Sequence, residues 1–363
     1  MPKLLAEVFP PGEFLQDELD ARQWTQAEFA QIIDRPAQLV SEIISGTRDI
    51  SRQTAAEFGA AFGQSPQYWL NLQSSYNLWL ASQSASRTDE LDAVEKRALL
   101  AARAPVAELR KRGLVTTKDL DQTIVEVCGL LGIDDIRDDV PFLAAARRAN
   151  RDHDVSPTQR TWLACARRAA EEVREVAPYS PERLGELASR LPQLLNTPEA
   201  FEDLPHLVAD AGVRLVYVEQ FPSSHLSGAT FLHADDPNQP VIALSGRGKR
   251  LDKVLFTLLH EVGHLLEGHV APDELVIDED GHDDPREAAA DQRAAAWCFP
   301  GGLPHSAGAI RKPWVDRTAA KFGVHPIVVV GHLQHLGRLD WRTSLVRGAP
   351  TVVDQLESWS AKA

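Results

Sequence analysis

The sequence predicts an α+β fold spread over more than one domain, on three observations. Residues 1 to about 200 carry helical periodicity and capping signals but few strand signals. From about 201, short runs rich in β-branched and aromatic residues alternate with turn residues. Those runs lead into a long apolar helix at 251–269. At 363 residues the chain can build two or three separate cores. The texture divides it into an all-α head (1–95), a helical scaffold region (96–200), an α+β domain (201–345) and a C-terminal tail (346–363).

Composition narrows the class. The chain is 44% apolar and 25% charged, which is ordinary for a soluble globular protein. No apolar run approaches the roughly 18–20 residues of a membrane span, and the N-terminus MPKLLAEVFPPGEF lacks a secretory apolar core. Cys128, Cys165 and Cys298 are far apart and form no CxxC. That argues against a disulfide framework and against a Cys-rich zinc site, fits a reducing cytoplasm, and reads each as a small buried apolar residue. With a formal charge of −14, contact with nucleic acid requires clustered cations.

In the head, Phe14, Leu15, Glu18 and Leu19 begin an amphipathic helix. Thr25-Gln26-Ala27-Glu28 reads as a capping box that starts a second, with Phe29, Ala30, Ile32 and Ile33 as its apolar face. Asp34-Arg35-Pro36 forms a turn, with Pro36 in the first turn of a third helix running from Ala37 to Ser45 and closing at Gly46. Ser51 and Ser65-Pro66 open two more. Two short helices around a tight turn suggest a DNA-reading helix-turn-helix, although a ligand-free helical bundle has the same periodicity. Residues 1–80 hold five Lys/Arg against ten Asp/Glu, but Arg35, Arg48 and Arg52 flank the third helix as a local positive patch. So few phosphate donors imply weak binding by a monomer and reliance on a homodimer across a two-fold site. Phe62, Tyr68, Trp69, Leu72 and Tyr76 are candidate dimer residues.

In the middle region, Trp162 and Leu163 read as core, and Arg110-Lys111-Arg112 as a solvated helix face. No chemistry is legible there.

VRLVYV (213–218), GATFLH (228–233) and PVIALS (240–245) read as strands before the helix LDKVLFTLLHEVGHLLEGH. Its segment His260-Glu261-Val262-Gly263-His264 is HExxH. Residues four apart lie one turn along a helix on the same side, so two imidazoles can reach one tetrahedral zinc. Glu261 is offset to the rim as general base toward metal-activated water. Downstream, Glu287-Ala288-Ala289-Ala290-Asp291 can supply a third ligand from Glu287, with Asp291 one turn later orienting a ligating histidine from behind. Two histidines, one glutamate and an open fourth position are catalytic rather than structural zinc geometry. The pattern HExxHxxGxxH fails at Glu267 and Val270; His269 and His282 stand as rival third ligands.

HEVGHLLEGH, followed by Glu287, Ala290, Asp291, Ala294 and Pro300, resembles the ImmA/IrrE family of bacterial metallopeptidases. GVRLVYVEQFPSSHLSGATF and FGVHPIVVVGHLQHLGRL extend the resemblance over roughly 205–345. It implies a zincin-like, gluzincin-type domain with ligands His260, His264 and Glu287 and base Glu261, and limited proteolysis of a regulatory protein. Arg293 and Trp297-Cys298-Phe299 depart from the family at helix-packing positions, not at the metal.

The head segment PGEFLQDELDARQWTQAEFAQII…VSEIISGTRDIS…TAAEFGAAFGQSPQYWLNLQ resembles the HigA-type antitoxin branch of the Xre helix-turn-helix family. That implies Ala37, Gln38 and Ser41 near base edges, with Gln26, Ser45 and Arg48 near phosphates; Ala37 and Pro36 depart from the usual pattern. The expected protein is a cytoplasmic DNA-binding transcription regulator fused to a zinc-dependent endopeptidase that cleaves a repressor or antitoxin. The alternative is a toxin-antitoxin component binding operator DNA and a toxin, with the zinc domain a sensor or interaction module.

Overall fold

The structure is a computed structural model that describes residues 8–83, 85–140, 155–234, 236–270, 276–279, 285–306 and 308–360. For 85–88, 276–279 and 360 only the backbone is described. His282 lies outside these residues. The chain forms two compact units, Met1–Arg97 and Ala98–Ala363.

The first unit holds α1 (Pro11–Arg22), α2 (Gln26–Ile32), α3 (Ala37–Ile44), α4 (Arg52–Phe62) and α5 (Pro66–Gln83). Thr25 caps α2 through the predicted box: its hydroxyl accepts from Glu28 N at 3.2 Å and Glu28 Oε2 accepts from Thr25 N at 2.7 Å. Pro36 is the N-cap of α3, one position before its first turn, and Gly46 follows the last helical turn with φ 73°. The core packs Phe29, Phe58, Phe62 and Trp69 together, with Phe29 and Phe62 stacked at a centroid distance of 4.7 Å. Phe62 and Trp69 therefore pack the bundle and leave the list of candidate dimer residues; Tyr68 stays exposed, and Leu72 and Tyr76 are half-buried. Replacing Thr25 with Ala is expected to cost this unit about 1 kcal/mol. Urea unfolding followed by Trp24 fluorescence reads the loss; an unchanged midpoint contradicts it.

Helix α6 (Ala85–Arg103) runs across the division between the units, and the second unit continues with α7 (Val106–Lys111), α8 (Leu120–Leu131), α9 (Pro157–Glu172), α10 (Pro181–Leu194) and α11 (Leu204–Asp210). Then come β1 (Arg214–Tyr217), β2 (Leu226–Leu232), β3 (Pro240–Leu244), α12 (Leu251–Leu266), β4 (Val276–Glu279), α13 (Pro285–Cys298), α14 (Lys312–Phe322), α15 (Pro326–His335) and α16 (Val353–Ser360). The sheet order is β1-β3-β2-β4, parallel between β1 and β3 and antiparallel elsewhere.

Helices cover both sheet faces, which is why β3 reads as an unbroken apolar run. Its Ile242 and Leu244 pack with α12 and the C-terminal helices. Val241 and Ala243 face a second core built from α8 and α9, where Trp162 and Leu163 are buried. The stretch 96–200 thus supplies most of this second core and part of the first. Arg112 is not a solvated face residue. It donates to Glu219 O and Gln220 O at 2.7 and 2.8 Å and lies 3.8 Å from the Phe221 ring centroid. All three cysteines are buried.

A bulge between Leu226 and Gly228 resets the alternation of β2. After it, Ala229 and Phe231 face the α8–α9 core, while Gly228 and Thr230 meet Glu261 of α12. Strand β4 was not legible in the sequence: Val-Ile-Asp-Glu is short, acidic and at the sheet edge.

Candidate metal centre and nucleic-acid face

Helix α12 buries Leu251, Val254, Leu255, Leu258, Leu259 and Val262, which fixes its rotation and sets His260 and His264 on a common side. Helix α13 crosses it closely because position 263 is glycine. A Cβ there would lie 3.1 Å from Ala290 Cα and 3.2 Å from Ala290 O. Glu287 sits one turn before Ala290, so this approach carries its carboxylate to the imidazoles.

The donor atoms converge. His260 Nε2 lies 2.9 Å from His264 Nε2 and 3.0 Å from Glu287 Oε2, and Glu287 Oε1 is 3.5 Å from His264 Nε2. Ligands about 2.05 Å from one tetrahedral ion are separated by about 3.3 Å, so these edges and this donor set fit zinc. Among the described residues, His260, His264 and Glu287 are the histidine, cysteine or carboxylate groups gathered closely enough to hold an ion. Burial alone would push the Glu287 carboxyl up, but its hydrogen bonds to both imidazoles outweigh that and hold it at about 2. It is an anionic donor at neutral pH.

Asp291 Oδ1 is 2.7 Å from His260 Nδ1, the place for a carboxylate that keeps the proton on Nδ1 and turns the Nε2 lone pair to the shared point. His269 does not join the cluster. Its Nδ1 lies 3.0 Å from His264 Nδ1, and burial, then His264 and Arg286, lower its pKa, so the neutral ring can accept the His264 Nδ1 proton. Replacing Asp291 with Ala is expected to weaken zinc binding by roughly 10–100-fold. Competition with a chromogenic chelator measures this, and unaltered affinity would remove Asp291 from the site.

Glu261 is not at the rim: it is 0% exposed. Its Oε2 accepts the Thr230 hydroxyl at 2.5 Å, and a Cβ at Gly228 would stand 2.5 Å from its Oε1. Thr230 and Gly228 thus position the carboxylate from across the helix–strand interface. Neither position carries a local signal in the sequence.

Beside the cluster opens a cleft of about 300 Å³. Its lining includes Phe256, Phe299, Val328, His332 and Trp341, with Lys253 4.8 Å from the Trp341 ring centroid. Burial pushes His332 down to about 4, and its Nδ1 has no hydrogen-bond partner among the described residues. An unfolded histidine titrates near 6.5. Between those values the unfolded chain takes up the proton and the folded chain does not, so stability falls as pH drops from about 6.5 to 4. His332→Phe is expected to lose less of its urea midpoint than wild type over that window. Parallel curves contradict this.

In the first unit, Ala37, Gln38, Ser41 and Ser45 are exposed along α3, while Gln26 at the start of α2 is half-buried. The cations are tied to acids. Arg35 makes a bidentate bond to Glu57 at 2.6 and 3.1 Å, and Arg48 pairs with Glu42 at 3.0 Å. Glu42 also accepts from Gln38 at 2.7 Å. The positive patch is thus partly neutralised within the bundle.

Fold and site together define a two-part class: a helix-turn-helix unit followed by a metallopeptidase-like unit. Residues 209–333 match the family model of Peptidase_M78, the IrrE N-terminal-like domain. Over 68 residues the chain is 31% identical to the HTH-type transcriptional regulator YddM of Escherichia coli (strain K12), covering 19% of this chain and 72% of that protein. Over 69 residues it is 38% identical to virulence-associated protein A′ of Dichelobacter nodosus, covering 19% of this chain and 60% of that one. Two solved structures are also similar. A HigA-family addiction module antidote protein from Coxiella burnetii is 30% identical, covering 23% of this chain and 94% of that one, with a TM-score of 0.23. A Pseudomonas aeruginosa protein solved with its operator DNA is 32% identical, covering 24% and 95%, with a TM-score of 0.22. The chain belongs to the helix-turn-helix transcriptional regulators through its N-terminal segment, and its C-terminal part is IrrE-like. Among the described residues no helix is long and apolar enough to cross a membrane.

Proposed function

We propose that the second unit is a zinc-dependent endopeptidase that cleaves a regulatory protein, a repressor or an antitoxin, and that the first unit binds operator DNA as a homodimer. The observation that carries the reading is the convergence of His260, His264 and Glu287 beside a cleft lined by both apolar and polar side chains, with Glu261 next to the first ligand in the sequence. Bound zinc would supply a Lewis acid that acidifies water and polarises a carbonyl.

The chain's own groups do the rest. His260, His264 and Glu287 hold the ion, Asp291 fixes the His260 ring, and Glu261 takes a proton and returns it to the leaving amine. Thr230 keeps the Glu261 carboxylate in one orientation. Phe256 and Phe299 exclude water and receive an apolar side chain of the substrate. On the DNA side, Ala37, Gln38 and Ser41 approach base edges, and Gln26, Ser45, Arg35 and Arg48 lie toward phosphates. The internal pairs of Arg35 and Arg48 predict modest affinity with a shallow salt dependence.

The experiment compares new protein N-termini in cells expressing wild type and Glu261→Gln. The reading expects a regulatory protein cleaved only with wild type. Identical sets of N-termini, from a protein that carries zinc and binds a neighbouring toxin, favour the sensor-type antitoxin instead.

A further inference from the structure

Strand β1 is an edge of the sheet. Val218 N–H donates to Leu244 O, and Tyr217 is the residue registered with Leu244. In a parallel ladder the residues flanking a registered one carry the bonds, so Val216 and Val218 turn their amide and carbonyl groups to β3. Leu215 and Tyr217 turn theirs outward, where no described residue bonds to them. Natural edge strands are commonly blunted by proline, lysine, a bulge or an overlying segment. Leu215-Val216-Tyr217 contains neither residue type and no bulge.

A groove of about 310 Å³ runs along this edge. Leu215, Val216 and Tyr217 all line it. Their side chains alternate between faces, so the groove meets the strand edge-on. Val173 at the end of α9 and Trp359 of α16 form apolar walls. Glu172, Glu175 and Glu202 line it too, and none has an ion pair among the described residues; the one guanidinium lining it is Arg174. Tyr217 is 8% exposed, and its hydroxyl has no hydrogen-bond partner among the described residues.

We propose that this groove receives an extended basic segment of a partner protein as an added strand on β1. Main-chain bonds to Leu215 and Tyr217 supply affinity, and side chains at alternate positions supply specificity. Lysine or arginine stems lie along Trp359 while their charges meet the three carboxylates. The site uses none of the metal ligands, so it stands whether or not the peptidase reading does.

The probes are fluorescein-labelled octapeptides of alternating Lys-Val and alternating Glu-Val, titrated into the full chain by fluorescence anisotropy, with amide hydrogen exchange in parallel. The Lys-Val peptide is expected to bind at least tenfold more tightly than the Glu-Val peptide. It should slow exchange at Leu215 and Tyr217 and leave Val216, already bonded to β3, unchanged. Glu172→Lys with Glu202→Lys changes two exposed residues and should reverse the preference without shifting the melting temperature. Equal binding of both peptides, binding that leaves the Leu215 and Tyr217 amides unprotected, or sedimentation showing a second copy of the chain on this edge would each overturn the proposal.

Discussion

Substituting Glu261 with Gln is expected to lower peptide-bond cleavage by about 10²–10⁴-fold, the usual contribution of a positioned proton acceptor, and to leave zinc content at wild-type level. The substitution preserves shape, and its amide oxygen still accepts the Thr230 hydroxyl that holds the carboxylate now. The ligands His260, His264 and Glu287 are untouched, so only proton acceptance is lost. Cleavage of the regulatory protein, followed by gel alongside metal analysis, separates the outcomes. A zinc-loaded variant that cleaves at the wild-type rate removes Glu261 from the reaction, while loss of zinc makes its role structural.

Gly263→Val is expected to damage both fold and metal site, although residue 263 binds nothing itself. The new side chain would press on the Ala290 backbone, 3.1 Å from where a Cβ would stand. Overpacking of that kind costs roughly 1–3 kcal/mol, which for a unit of this size lowers the melting temperature by roughly 2–12 °C. Forcing α13 outward also carries Glu287 away from the imidazoles, so zinc affinity should fall by more than the roughly 10–100-fold of an outer partner. Melting both proteins with and without a chelator distinguishes the two costs: the difference between them in chelator reads packing alone. A variant that keeps wild-type zinc affinity would show that the close crossing is not what delivers Glu287.

What the sequence made legible follows from the range of each signal. Capping of α2 is settled within four residues, and Thr25-Gln26-Ala27-Glu28 contains both halves of the reciprocal bond. The HExxH spacing is likewise a property of one helix, and the Glu287–Asp291 pair is a property of the next. The features that were hidden depend on chain segments meeting. Thr230 and Gly228 reach Glu261 only because the bulge in β2 turns them toward α12. The place of His269, a rival third ligand on its sequence position alone, is likewise set outside any one helix. The helix stops at Leu266, and Gly268 with φ 70° turns the chain so that the ring returns to His264. Aromatic residues of the first unit posed the reverse problem: composition cannot tell a buried Trp69 from an exposed dimer contact, and its burial against the edges and faces of Phe58 and Phe62 decides. The acidic partners of Arg35 and Arg48 explain why a cation count overstated the positive patch.

X-ray absorption at the zinc edge of the purified 363-residue chain tests the central claim most directly. Two imidazole nitrogens at about 2.0–2.1 Å, one carboxylate oxygen at about 2.0–2.2 Å and no sulfur is the predicted set, with the carboxylate contribution lost in Glu287→Ala. A spectrum requiring a sulfur ligand, or one that Glu287→Ala leaves unchanged, would contradict the convergence of these three side chains on one ion.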